Sequence, residues 1–263
     1  MSNGELNFSF VHLDRHDGIL TITINRPEVL NALHLEAHTE LSSVFDLYAA
    51  DPTLRVAIIT GAADRGFCVG TDLKALSRTG PYEYPSGGFG GITKRFDLCK
   101  PVIAAVNGHC LGGGIEILAA CDLAVACEHA EFGLPEPLVG QAAVGGSALQ
   151  RLARHLPMKA TMYLALTGQR INAHEAQRVG LINEVVPKGT AILRARQIAQ
   201  QILACAPLAI EATKQVILKS LEYGLEASIE ASYPAVQRML ASDDAREGPK
   251  AFAEKRKPQW SGR

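Results

Sequence analysis

The chain has 263 residues, with 26 basic against 27 acidic side chains, 47% hydrophobic and 20% charged residues, which excludes a disordered tail and supplies ample material for a buried core. A net charge of −1 and the lack of any block of five or six basic residues exclude the footprint of a nucleic-acid binder. The uncharged stretch 101–115 is broken by Asn107, His109 and four glycines, so no bilayer span is expected. MSNGELNF at the start lacks both a basic patch and an apolar run, and the six cysteines include no Cys-x-x-Cys pair. A cytoplasmic protein with reduced thiols and no membrane partner is the expectation.

In chain order, residues 8–13 and 19–24 alternate around a polar cluster ending in Gly18 and predict a hairpin. Leu33, Ala37, Leu41, Val44, Phe45 and Tyr48 repeat with helical period until Asp51-Pro52. VAIIT (56–60), VIAAV (102–106) and LAVAC (123–127) are short, β-branched apolar runs of the kind that form strands buried on both faces. A helix start is expected near Asp72. Residues 80–91 carry five glycines, two prolines and two tyrosines and predict a mobile surface loop. Beyond Ser147 the pattern turns helical over 158–166, 173–179, 189–204, 208–221, 225–240 and 243–255, with a cap at Ser242.

The densest chemical signal is NGHCLGGGIEILAACD (107–122), three glycines between a buried strand and an apolar helix. Glycines there let the backbone approach a ligand, and free N–H groups at a helix start favour a developing oxyanion. RGFCVGTDLK (65–74) is a second such turn, so two convergent amides would make an oxyanion hole. Glu116 falls in the first turn of the apolar helix, and Glu136 is fixed between two prolines in LPEP. Carboxyls on separate rigid elements can divide acid and base work; equally, Glu116 can simply complement the helix dipole and Glu136 can stay solvated.

Other residues carry less. His34 and His38 have metal-ligand spacing but no third ligand, and a solvent-facing pair is expected. His109, near the glycine triplet, is a candidate base, ranked below a hydrogen-bonded histidine at a strand end. Cys68 and Cys110 flank the glycine turns without an identifiable base. A G-x-G-x-x-G fingerprint, a phosphate-binding Gly-Lys-Ser/Thr and a G-x-S-x-G elbow are all missing, which argues against a nucleotide cofactor and the common serine hydrolase.

At these same residues the chain resembles the crotonase superfamily, the enoyl-CoA hydratase/isomerase family, over nearly its whole length. The resemblance rests on ITINRPEVLNAL (22–33), VAIITG (56–61), GFCVGTDLKAL (66–76), KPVIAAVNGHCLGGGIEILAACD (100–122), AEFGLPEPLVG (130–140), LTGQRINAHEAQRVGLINEVV (166–186) and EGPKAFAEKRKP (247–258). It implies an α/β fold, a ClpP-like spiral of ββα units over 1–195, then a helical trimerisation region over 196–263, assembled as homotrimers or homohexamers. It implies an acyl-CoA thioester substrate, a hydro-lyase reaction at the 2,3-double bond and a place in fatty acid metabolism. The N–H groups of Thr71 and Gly113 match the family's oxyanion hole, Glu116 its water-activating base and Glu136 its acid. Lys74, Phe252 and Lys255 match positions used around the adenine and phosphates of coenzyme A. No metal or further cofactor is implied.

One departure stands out: GQAAVGGSALQRL (140–152) lacks the proline step that most hydratases carry before their Gly-Gly pair. It keeps double-bond isomerisation and silent acyl-CoA binding open beside hydration. DPTLRVAIITGA (51–62), SGGFGGIT (86–93) and the 247–263 ending are similar to the crotonobetainyl-CoA branch of the family. Tyr82, Glu83, Tyr84 and Phe89 would there offer aromatic faces or an anion to a trimethylammonium group.

Overall fold

The computed structural model describes residues 8–263; the opening residues 1–7, read above for a leader, lie outside the described residues. The hairpin forms as β1 (Val11–His16) and β2 (Ile19–Ile24), antiparallel, joined by Asp17 and Gly18. Both turn residues have positive φ (49° and 78°), the demand of a tight two-residue hairpin that Asp-Gly meets at little cost. The helical repeat becomes α1 (Leu35–Ala50), which buries Ala37, Leu41, Val44, Phe45 and Tyr48.

The three apolar runs become β3 (Val56–Gly61), then, after β4 (Gly66–Cys68) and α2 (Leu73–Thr79), β5 (Val102–Val106), and, after β6 (His109–Leu111) and α3 (Gly113–Ala120), β7 (Leu123–Cys127). The chain continues through β8 (Glu131–Gly133), a 3-10 turn (Glu136–Val139), α4 (Ala148–His155), α5 (Met158–Thr167), β9 (Arg170–Asn172), α6 (Ala173–Arg178) and β10 (Glu184–Val186). It ends in α7 (Ala191–Leu203), α8 (Pro207–Ser220), α9 (Leu225–Glu230), α10 (Pro234–Ala241) and α11 (Asp244–Ala253).

Two sheets result. The larger runs β1-β2-β3-β5-β7-β10 and is parallel beyond the first hairpin. Its central strands are buried on both faces, as their unbroken apolar runs require. In β3, Ala57 and Ile59 join the main core with α1 and α3, whereas Val56 and Ile58 meet Ala191, Ala195 and Ala199 of α7. That alanine seam, one residue per turn, lets α7 lie close on the sheet. The smaller sheet, β4-β6-β8-β9, is built from three-residue strands and carries the glycine turns.

The expected helix over 225–240 is two helices, because Pro234 cannot continue an N–H···O ladder and opens α10 instead. The surface loop over 80–91 holds only in its first half. Residues 87–91 are buried, since a backbone without side chains can press into α1: a Cβ on Gly91 would lie 2.6 Å from the Leu41 carbonyl carbon. The C-terminal residues fold back on their own chain, where Asp244 accepts from Ser261 N–H (2.7 Å) and Gly262 N–H (3.0 Å). No single helix among the described residues is long and apolar enough to cross a membrane.

Candidate active site

β4 and β6 are parallel neighbours, with Cys68 opposite Cys110, so the turns that follow them leave the same end of the small sheet. The first turn is pinned by Leu33, whose N–H donates to Gly70 O (2.8 Å) and whose carbonyl accepts from Asp72 N–H (2.8 Å). Asp72 then caps α2 by accepting from the N–H groups of Lys74 and Ala75, and binds Arg26 at 2.9 Å. Gly70 sits at φ +94°, and a Cβ there would stand 2.9 Å from Gly113 N. The two turns therefore abut, backbone against backbone. Among the described residues neither Thr71 N–H nor Gly113 N–H donates to another group. The ring of Phe89 lies against Gly113 and leaves no room for a side chain.

Glu116, in the first turn of α3, is 3% exposed. Gly146 N–H donates to its Oε1 at 2.6 Å, and a Cβ on Gly146 would stand 2.7 Å from its carboxyl carbon. Burial pushes this carboxyl above its ordinary range, the Gly146 and Ala148 amides oppose that rise, and the charge of Glu136 adds to it. Glu136 opens the 3-10 turn, and Gly112, at φ +53°, brings its backbone so near that a Cβ would stand 2.9 Å from Glu136 Oε1. Burial raises Glu136 too, and its Oε2 is buried with no hydrogen-bond partner among the described residues. The four expected residues thus converge: two amides and two carboxyls around the start of α3.

Lys74 is exposed on α2, beside the Asp72 cap, whereas Phe252 (88% exposed) and Lys255 belong to α11 and the residues just after it. Cys68 and Cys110 are fully buried, and burial lifts the Cys68 thiol to about 12, so neither supplies a thiolate. His38 is buried rather than facing solvent: its Nδ1 accepts from Gly90 N–H at 3.0 Å, and burial depresses its pKa to about 3. His34 is only partly covered, and no cluster of metal-binding side chains occurs among the described residues. His109 opens β6 as expected, but its Nδ1, 3.2 Å from a Glu131 carboxylate oxygen, makes no hydrogen bond among the described residues, so the expected hydrogen-bonded ring is not found.

Sequence reasoning missed Gly146 as the holder of Glu116. Its only trace was the Gly145-Gly146 pair in the 140–152 stretch. It also missed that Tyr84 reaches this loop, where a Cβ on Gly145 would stand 3.2 Å from the Tyr84 hydroxyl.

The profile of the enoyl-CoA hydratase/isomerase family matches residues 14–263. The chain belongs to that family. Its curated relatives include the carnitinyl-CoA dehydratase of Proteus mirabilis strain HI4320, 42% identical over 259 residues, covering 96% of this chain and 98% of that one. The protein of the same name from Escherichia coli O157:H7 is 43% identical over 262 residues, again covering 96% and 98%. Among solved structures, an enoyl-CoA hydratase from Mycobacterium tuberculosis H37Rv matches with a TM-score of 0.91 and 40% identity over 97% of this chain and 99% of that chain. The crotonase-type α/β fold expected from the resemblance is the observed one. The expected activity stands with it: a hydro-lyase acting at the 2,3-double bond of an acyl-CoA thioester.

Proposed function

We propose that Thr71 N–H and Gly113 N–H bind the thioester carbonyl, that Glu116 is the base and that Glu136 is the acid. In hydration, Glu116 removes a proton from water and the oxygen bonds to C3. The double-bond electrons move onto the thioester oxygen, Glu136 gives its proton to C2, and the carbonyl re-forms. Dehydration runs the same steps backward.

The observation that carries this assignment is the unlike support of the two carboxyls. Glu116 is held by amides that favour its ionised form, and Glu136 keeps a buried oxygen unpaired, which favours the protonated form. Each amide aimed at the enolate oxygen is worth about 3 kcal/mol in a dry site. Two carboxyls, two amides and water account for every proton and electron pair, so no metal or further cofactor is proposed, and coenzyme A enters as part of the substrate.

Lys74, Phe252 and Lys255 are proposed to contact coenzyme A, the last two on a neighbouring copy, because α11 packs chiefly on α10 and holds Phe252 outward. Exposed Leu225, Ile229, Leu240 and Phe252 on the terminal helices support a homotrimer or homohexamer. The curated relatives named above are carnitinyl-CoA dehydratases, which supports crotonobetainyl-CoA as the acyl substrate. Six free cysteines support a cytoplasmic location.

Purified protein is expected to abolish the conjugated absorbance of crotonyl-CoA and to place labelled solvent oxygen on C3. Loss of that absorbance without label would mean isomerisation or another reaction. Unaltered turnover in a Glu116→Gln, Glu136→Gln double variant would remove the proposed roles.

A further inference from the structure

The second half of the glycine-rich segment does more than fill the core. Phe89, 1% exposed, lies between the second glycine turn and the 145–146 loop: its ring contacts Gly113, and a Cβ on Gly146 would stand 2.7 Å from the Phe89 Cβ. On Phe89 lean His38 (ring centroids 4.5 Å, 69°) and Tyr84 (5.5 Å, 69°), and His38 meets Tyr84 edge-on (5.0 Å, 75°). Tyr82 stands almost perpendicular to Tyr84, at 5.7 Å and 88°. Phe89 and His38 are buried backing, whereas Tyr82 and Tyr84 are only half-buried. The Tyr84 hydroxyl borders Gly145, next to the residue whose amide holds Glu116, so the corner begins at the reacting centre.

We infer that Tyr82 and Tyr84 form a right-angled aromatic corner at the acyl end of the site, backed by Phe89 and His38, which takes a quaternary ammonium group carried by the acyl chain. The inference rests on the acyl-CoA reading above and names what its acyl pocket recognises.

Three features suit a cation that cannot donate a hydrogen bond. Two ring faces at right angles present their negative quadrupoles to one volume. His38, though buried, brings no positive charge: Nδ1 accepts from Gly90 N–H, and burial holds the ring neutral down to about pH 3. No hydrogen bond ties the Tyr82 hydroxyl, whose oxygen is buried without a partner among the described residues. Arg26, whose charge reaches Tyr82, is paired with Asp72 and the Ala32 carbonyl.

The test compares two saturated thioesters of one shape, which cannot be hydrated: 4-trimethylammoniobutanoyl-CoA and its uncharged carbon isostere, 5,5-dimethylhexanoyl-CoA. A merely apolar pocket prefers the isostere, which costs less to desolvate. Titration calorimetry on the unmodified protein is expected to show the cation binding about ten- to thirty-fold more tightly, the worth of a desolvated cation–π contact. Tyr84→Leu and Tyr82→Leu should each bring the ratio down severalfold, while Tyr84→Phe, which keeps the ring, should preserve it. Equal or tighter binding of the isostere, or a ratio that both leucine variants leave intact, overturns the inference. Crotonyl-CoA turnover is read separately: its absence with the ratio intact would sink the hydration roles and leave the corner standing.

Discussion

Glu116 and Glu136 face one reaction centre from unlike supports. Glu116 rides on a helix whose first seven residues are all buried, and Gly146, thirty positions further along the chain, clamps its carboxyl. Glu136 projects from a short 3-10 turn whose outer residues Leu138 and Val139 are exposed, and part of its carboxyl has no partner. Burial raises both carboxyls, but the Gly146 and Ala148 amides oppose that rise at Glu116 while Glu136 keeps a buried oxygen unpaired, and such unlike support is how like residues take opposite roles.

The largest effect should come from erasing that difference. Glu116→Gln and Glu136→Gln are each expected to lower kcat by about 10²- to 10⁴-fold with little change in KM, because proton transfer is lost and binding is not. The residual pH profiles separate the two. Hydration needs Glu116 ionised and Glu136 protonated, so activity rises with pH as the first titrates and falls as the second does. Burial raises both carboxyls, so both limbs should lie above the ordinary 4.5. Glu116→Gln should remove the acidic limb and Glu136→Gln the alkaline one; the reverse pattern would exchange their roles.

A smaller effect is expected from the clamp. Gly146→Ala drives a methyl group into Glu116 and Phe89 and displaces a charge-assisted hydrogen bond, which should lower kcat by about ten- to a hundredfold. Gly140→Ala, in the same loop, is the contrast: its φ is +73°, but nothing lies within 4 Å of a new Cβ. It should cost only about 1 kcal/mol of stability. Steady-state kinetics and thermal unfolding of the pair show whether the altered loop acts on Glu116 or merely connects elements. Equal kcat in the two variants would discard the clamp.

The sequence disclosed one half of this machinery better than the other, for reasons of scale. VAIIT, VIAAV and LAVAC are long enough to show buried strands by composition, and each became a central strand of the large sheet. The small sheet was invisible, since three-residue strands show no period. The glycine triplet and Glu116 share one local motif and were legible together. The grip of Gly146 on Glu116 joins residues far apart in sequence, and no local pattern records it. His38 misled because its helical spacing from His34 suggested a shared outer face, yet it sits in the buried stripe with Ala37 and Leu41. What closes over it is the Gly87–Gly91 backbone, which polarity alone assigns to the surface.

That burial gives the mildest effect, on stability. Folding holds the His38 imidazole at a pKa of about 3, against about 6.5 when unfolded, so between these values the unfolded chain takes up a proton that the folded one refuses. Stability contributed by the neutral ring is complete above pH 6.5 and falls as pH drops, by up to about 1.4 kcal/mol per unit. His38→Gln keeps an acceptor for Gly90 N–H but cannot titrate. Between pH 7.5 and 5 it should therefore lose about 2 kcal/mol less than the unmodified protein in denaturant unfolding. The other buried carboxyls and histidines contribute equally to both chains and cancel in the difference. Parallel stability curves for the two proteins would mean that protonated His38 is tolerated, and that the glycine backbone moves aside to solvate it.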